Sequence, residues 1–417
     1  MSFSAKDRRI VRDFAQRVVE LAAEPCQQVK LAEWRRHNSL KPGRPLVLQA
    51  PEGVWEEFVP ADSLQCEDDL CRSIEHGLRY TLYSAEHFRD DRPVTADVYS
   101  PLFISYHGWK IRTHATGNPD TPGVQGAVRY DPVFGPEDDI DELLPMQTVE
   151  IDWGRSEQRY QQVTELVGDT LSVTKRGHSG SWFAAMDQLI QWRGLENVMF
   201  DMIDRPEWVH RVMDRLTANE INLVRQLDKA NALSLNNGNH GVGSGGLGAT
   251  DELPAAGFDG EHVRPIDMWG HATTQIFSEV SPAMHDEFAI QYEARFLELF
   301  GLNCYGCCEP LHKKVHLVRK LPRVRRLSMS PWVEPVEGAE NVGSDMIYSS
   351  KPNPAFLAGG TWDIEPCRKE MIATLEACRA NGCVSEYIMK DTHTCRGEPS
   401  RYDEWTDMAM ELAAKYA

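Results

Sequence analysis

Three cysteines and a glutamate stand close together in the segment 303–310, NCYGCCEP. Thiolates bind zinc and other soft ions, whereas a Cys-x-x-Cys pair can also act as a redox dithiol. Adjacent residues of an extended strand point to opposite faces, so only one of Cys307 and Cys308 faces a common site unless the strand has already ended. We expect Cys304 to belong to the core and Cys307 to be the leading metal ligand. A buried or hydrogen-bonded thiol is the alternative.

Further ligands can come from distant segments, because the ligands of a metal ion need only converge in space. The segment 391–397, DTHTCRG, supplies one imidazole and one thiol. The predicted metal ligands are Cys307, Cys308, Glu309, His393 and Cys395, with His240 and His271 as alternatives, and the predicted ion is zinc. The same segment partly resembles D-x-H-x-x-G, which supplies a histidine to cobalamin, but its glycine falls one position late. We therefore expect no corrinoid on the chain itself.

Several histidines and carboxylates are candidates for proton transfer. Histidine changes its charge near neutral pH, and a neighbouring carboxylate can orient it. The predicted catalytic residues are His178, His240, Asp391 and Glu279. A hydrogen-bonded packing role is the alternative for each histidine.

The glycine-rich segment 241–254, GVGSGGLGATDELP, lacks the lysine of a phosphate-binding loop. Its glycines predict a mobile flap beside His240 that brings Asp251 and Glu252 over the site. A solvated loop is the alternative.

The elements that position these residues follow from hydrophobic periodicity. Apolar residues at three- and four-residue spacing predict a helix near the N-terminus and a second one over 65–89. From about residue 170, seven short apolar runs end in polar residues, and helical patterns separate them. Ser281-Pro282 marks a helix start, and Asn381-Gly382 marks a helix end.

This alternation predicts an α/β fold of parallel strands joined by helices, most simply a (β/α)8 TIM barrel whose missing strand comes from the N-terminal part. A doubly wound open sheet is the alternative. The predicted domains are an N-terminal helical and irregular extension, 1–165, that packs on and completes the barrel, and the barrel itself, 166–417. The strand tips would share one mouth, where the predicted substrate-binding residues lie: Trp182, Asn237, Gln275, Trp332, Lys351 and Asn353.

Composition limits the partners. The chain has 417 residues, 44 basic and 63 acidic side chains, and a net charge of −19. Such a charge repels nucleic acid and anionic membrane surfaces. Ten cysteines in a long chain do not form a disulfide scaffold. Cys26, Cys66, Cys71, Cys367 and Cys378 lie singly in helical patterns and are predicted to be buried. Without an apolar leader or spanning segment, we expect a cytoplasmic protein, with a homodimer left open.

Longer segments resemble a known family. These are WFAAMDQLIQWRGLENVMFDMIDRPEWVHRVMDRL (182–216), the stretch 275–312 that ends in NCYGCCEPLH, and the shorter SMSPW, SSKPNPA and IMKDTHTCRGEPSRYDEW. Together they resemble the uroporphyrinogen decarboxylase superfamily. The resemblance implies a (β/α)8 barrel over 166–417. The superfamily contains porphyrinogen decarboxylases and zinc-dependent methyltransferases that exchange methyl groups with corrinoid proteins or thiols.

Two departures decide which side of the superfamily the chain resembles. Residues 1–60 lack the decarboxylases' P-x-W-x-M-R-Q-A-G-R segment. Tyr305-Gly-Cys307 stands where the methyltransferases carry H-x-C, and Cys395 follows 88 positions later, in the region of their second cysteine. The chain most resembles a branch, without assigned chemistry, that shares Y-G-C-C-E-P and S-K-P-N-P.

The resemblance implies a metal-dependent methyltransferase, or demethylase, that moves a methyl group from a small organic donor to a separate corrinoid protein or a thiol. The first alternative is a cofactor-independent decarboxylase or lyase acting on a small carboxylated substrate. The second is a non-enzymatic subunit that binds a corrinoid or another small molecule.

Overall fold

The computed structural model describes residues 3–116 and 129–417, and its centre is a parallel sheet of six strands. In spatial order the strands are β1 (Leu46–Gln49), β14 (Val384–Met389), β13 (Ile347–Ser350), β12 (Val324–Met329), β11 (Leu302–Tyr305) and β10 (Trp269–Ala272). Nearly all their residues are buried. The first strand of the chain therefore lies beside the last.

The other strands of the described ranges form four pairs. One pair is parallel, β2 (Asp97–Pro101) with β7 (Ser172–Arg176). Three are antiparallel: β3 (Phe103–His107) with β6 (Thr148–Asp152), β4 (His114–Thr116) with β5 (Arg129–Asp131), and β8 (Gly241–Val242) with β9 (Gly246–Leu247). Isolated bridges join His178 to Leu233 and Phe183 to Ala272.

Helices cover the sheet and connect its strands. In chain order they are α1 (Ala5–Ala22), α2 (Pro25–Asn38), α3 (Trp55–Phe58), α4 (Asp69–Tyr83), α5 (Ile140–Leu143), α6 (Trp153–Val167), α7 (Ala185–Arg193), α8 (Leu195–Asp204), α9 (Pro206–Lys229), α10 (Pro282–His285), α11 (Gln291–Leu297), α12 (Val315–Val318), α13 (Pro335–Val342), α14 (Ala355–Ala358), α15 (Glu365–Ala380) and α16 (Ser400–Lys415). The predicted signals hold locally: the Ser281 hydroxyl caps α10, and Gly382 has φ +65° after α15.

The predicted α/β class is confirmed. Six of the seven predicted strand units form strands, whereas the seventh, around 231–239, makes a single bridge at Leu233. Backbone pairing among the described residues does not close the six strands into a ring. The closed barrel and the boundary at residue 165 stay predictions. None of the helices in the described ranges is both long and apolar enough to span a membrane. The prediction that Cys26 is buried is wrong, because this residue is exposed near the start of α2.

A buried ionic network joins the N-terminal segment to the sheet. Arg326 of β12 forms an ion pair with Glu386 of β14 at 2.8 Å. His37 of α2 contacts the same carboxylate at 3.0 Å, and the side-chain oxygen of Asn38 accepts a hydrogen bond from Arg326 at 2.7 Å. All four side chains are buried. Since an unpaired buried charge is very costly, the network fixes α2 against the two strands.

The middle of the glycine-rich segment packs beside the sheet, so this part is not the solvated loop that was the alternative. The mobility of the predicted flap stays a prediction. Residues 246–250 of this segment are buried. A Cβ atom on Gly243 would lie 2.5 Å from the Cβ atom of Cys304, and one on Gly246 would lie 2.5 Å from the guanidinium carbon of Arg326. Glu252 pairs with Arg325 near the amino end of β12, so this carboxylate does not cover the mouth. The glycines therefore allow this segment to pack closely against Cys304 and Arg326.

We expect Gly243→Ala to destabilise the protein by about 2 kcal/mol more than Gly382→Ala, because it adds a steric clash to the same backbone cost. The two glycines have φ values of +61° and +65°, and nothing lies within 4 Å of a Cβ atom on Gly382. Urea denaturation of both variants measures the difference. Equal destabilisation would contradict the close packing of Gly243, in the hairpin of β8 and β9, against Cys304.

Candidate active site

A tight turn after β11 forms the centre of the site. The strand ends at Tyr305, and Gly306 has φ +85°. The buried carboxylate of Glu309 accepts hydrogen bonds from the backbone N–H of Cys307 at 2.8 Å and from the Thr273 hydroxyl at 2.9 Å. Glu309 thus holds the turn.

The turn brings both adjacent thiols to the same place. The Sγ atoms of Cys307 and Cys308 lie 3.4 Å apart, which an extended strand would not allow. The Cys307 sulfur also accepts from Lys390 Nζ at 3.4 Å and from the Ser244 hydroxyl at 3.5 Å. The hydrogen bond from Cys308 and the charge of Lys390 lower the pKa of Cys307, whereas the pKa of Cys308 is raised. Cys307 is therefore the more nucleophilic thiol.

Carboxylates border this thiol pair. Lys390 Nζ lies 3.0 Å from Asp391 Oδ2, and the Cys308 thiol lies 3.7 Å from the same oxygen. Burial, followed by the charge of Asp391, raises the pKa of Glu52. Of the residues predicted from the sequence, the structure brings together Cys307, Cys308, Glu309 and Asp391. It adds Lys390, Ser244 and Glu52, which the sequence reasoning missed.

The other predicted metal ligands have different surroundings. The Cys395 thiol donates to Glu57 Oε2 at 2.9 Å, and burial together with this carboxylate raises the pKa of Cys395 to about 12. His393 is exposed. In the described ranges 3–116 and 129–417, no group of three or more histidine, cysteine, aspartate or glutamate side chains is arranged to hold a metal ion.

Two of the predicted substrate-binding amides form structural hydrogen bonds. Asn237 Nδ2 donates to the backbone oxygen of Leu253 at 2.6 Å. Asn353 Oδ1 accepts from the backbone N–H of Ala355 at 3.0 Å. Each bond uses one polar atom of the side-chain amide, the nitrogen in Asn237 and the oxygen in Asn353.

Three further predicted residues differ in exposure. Lys351 is buried, its ammonium donates to the Ser349 hydroxyl at 2.5 Å, and burial lowers its pKa to about 7. Trp332 and Glu279 are exposed.

The predicted catalytic histidines, His178 and His240, lie near the strand pair β2–β7. Burial lowers the pKa of His178, and burial with the nearby charge of Arg176 lowers the pKa of His240 to about 4. The His240 ring lies 5.3 Å from the ring of Tyr99. These surroundings favour the neutral form of both imidazoles.

Two of the predicted substrate-binding residues, Trp182 and Gln275, line a cavity of about 250 Å3. We call it the aromatic–acidic pocket, and its walls include Trp109, Trp182, Phe183, Asp187, Glu220 and Gln275. Burial, with the charge of Glu309 adding to it, raises the pKa of Asp187 to about 7. Burial alone raises the pKa of Glu220 to about 7. The Trp182 ring lies 4.3 Å from that of His271.

Among known proteins, the chain has a match in fold but none in sequence. It matches no protein-family model and no curated protein. Among solved structures, it is similar to a methyltransferase from Methanosarcina mazei, with a TM-score of 0.50 and 11% sequence identity. The match covers 91% of this chain and 97% of that one. At this identity the likeness shows a shared fold.

We expect Lys390→Met to raise the pKa of Cys307, because a thiolate loses its neighbouring cation. The rate of iodoacetamide alkylation of Cys307 at pH 7 should fall roughly fivefold or more, with the rate profile moving to higher pH. Tandem mass spectrometry assigns the label to Cys307 or Cys308. Lys369→Met, which removes an exposed lysine on α15, is the control. An unchanged profile in Lys390→Met would show that this ammonium does not act on the thiol.

Proposed function

We propose that the protein is an enzyme that transfers a methyl group, with its active site around Cys307. The observation that carries the proposal is the contact of the Cys307 sulfur with Lys390, Ser244 and Cys308, which favours a thiolate. The similarity in fold to a methyltransferase supports it. We further propose that the strands form a (β/α)8 barrel, whose active sites lie at the carboxyl ends of the strands.

The proposed reaction is a displacement at a methyl carbon. A bond from an acceptor atom to this carbon forms while the bond to the donor heteroatom breaks, and the heteroatom keeps the electron pair. The Cys307 thiolate is the acceptor that the chain itself offers, and it takes the methyl group as a thioether. A free thiolate or the cobalt(I) of a separate corrinoid protein then takes the methyl group from this sulfur, which leaves as a thiolate beside the Lys390 ammonium.

Zinc dependence stays a prediction, and the described side chains do not fit a complete site. Cys307 and Cys308 offer two sulfur donors, whereas the Cys395 thiol donates to Glu57. Structural zinc needs four ligands and catalytic zinc needs three from the protein. We therefore assign no step to a metal ion.

The two alternatives have less support from the contacts. A decarboxylase needs a cation for the substrate carboxylate. Lys351 is buried against Ser349, and Lys390 is already paired with Asp391 and contacts the Cys307 sulfur. A binding subunit needs no ionised thiol at its mouth. Both remain open as predictions.

We expect Cys307→Ala to lower methyl transfer by roughly 100-fold or more, since it removes the nucleophilic sulfur. The assay pairs methylated amines, thioethers and aryl methyl ethers with cob(I)alamin or 2-mercaptoethanol, and it follows the methylated acceptor. Cys26→Ser, which changes an exposed thiol, should retain activity. Full activity of Cys307→Ala would contradict the proposed site.

If the enzyme depends on zinc through Cys307, the purified protein should hold about one equivalent and Cys307→Ala should lose it. Plasma mass spectrometry of both proteins measures the metal. Content below about 0.2 equivalents that does not change in the variant would contradict zinc dependence. Cys395→Ala tests in the same way whether this thiol is a ligand.

A further inference from the structure

The aromatic–acidic pocket has the chemistry of a cation site. Its walls combine three aromatic side chains, Trp109, Trp182 and Phe183, with the carboxyl groups of Asp187 and Glu220. Neither lysine nor arginine is among the described residues that line it. Aromatic faces attract cations, and carboxylates supply the opposite charge.

Asp187 has no hydrogen-bond partner among the residues that the structure describes. The residue is 8% exposed, and neither of its carboxylate oxygens has a hydrogen-bond partner among the described residues. Gln275 and the backbone of Ile276 lie beside the carboxylate and favour its charged form, but neither meets hydrogen-bond geometry. None of the ion pairs within the described chain involves Asp187 or Glu220. A buried carboxylate is costly without a hydrogen-bonding or charged partner, which a bound cation would supply.

We propose that the aromatic–acidic pocket binds a small methylated ammonium cation. Methyl groups on a charged nitrogen pack against aromatic rings, and the positive charge compensates the two acids. A primary ammonium is a poorer fit, because its three N–H groups each need an acceptor. The cavity volume of about 250 Å3 limits the ligand to a small molecule.

The pocket adjoins the thiol site. Glu309, which holds the Cys307 turn, also accepts a hydrogen bond from Thr273, two residues before Gln275 of the pocket. The charges of Glu309 and Cys307 act on the carboxyl group of Asp187 as well. A methylated ammonium is also a methyl donor whose nitrogen leaves as a neutral amine with the electron pair, so no proton is required. In this respect the inference rests on the proposed methyl transfer, whereas cation binding itself does not.

Isothermal titration calorimetry with choline, tetramethylammonium and 3,3-dimethylbutan-1-ol tests the proposal. The alcohol is the uncharged carbon analogue of choline and has nearly the same shape. We expect choline and tetramethylammonium to bind, and the alcohol to bind at least about tenfold more weakly. Equal affinity for choline and the alcohol, or absence of binding by both cations, would overturn the proposal.

Matched variants locate the binding site. Asp187→Asn keeps the side-chain shape and should weaken choline binding by about tenfold or more. Trp182→Leu should weaken it as well, and because Trp182 is 48% exposed this change leaves the core intact. Glu207→Gln, an exposed acid on α9 outside the pocket, should not alter it. Unchanged binding in both pocket variants would also overturn the proposal.

The two proposals fail separately. Choline binding without methyl transfer to any acceptor would reject the proposed reaction and leave the cation site intact. Methyl transfer from a thioether or aryl ether, with no cation bound, would support the reaction and reject the cation site.

Discussion

The buried ion pair between Arg326 and Glu386 is the constraint on which the rest of the structure depends. Its 2.8 Å contact lies in the protein interior, where neither charge is tolerated alone. Burial opposes ionisation of Glu386, but Arg326 and His37 outweigh it and lower the pKa of this carboxyl group. Asn38 completes the network through Arg326. The strands β12 and β14 and the helix α2, which are far apart in sequence, must therefore pack together in one fixed arrangement.

This network extends to β13, the strand between β12 and β14. The Ser349 hydroxyl contacts Glu386 on one side and Lys351 on the other, so β13 is tied to the same network. Lys390 directly follows Met389, the last residue of β14, so the path of this strand sets where its side chain begins. The position of Lys390 beside Cys307 thus follows from the register that the ion pair fixes.

Glu309 connects the thiol site with the aromatic–acidic pocket. Its carboxylate holds the Cys307 turn, and its charge helps to keep Asp187 partly protonated. Burial raises the pKa of Glu309 itself. A cation in the pocket would favour the charged form of Asp187 and so change the field at the thiol. Binding of the proposed cation would in this way act electrostatically on the Cys307 thiol.

The sequence by itself determined the α/β class, most of the sheet strands and the presence of Cys307, Cys308, Glu309 and Asp391 at strand ends, because hydrophobic period and turn residues act locally. Only the tertiary structure decided which groups meet. The thiols lie together because β11 ends at Tyr305, one residue before the turn, and Ser244 reaches Cys307 because the glycine-rich hairpin packs inside. Such contacts depend on strand register and on the paths of distant loops, which no local pattern encodes.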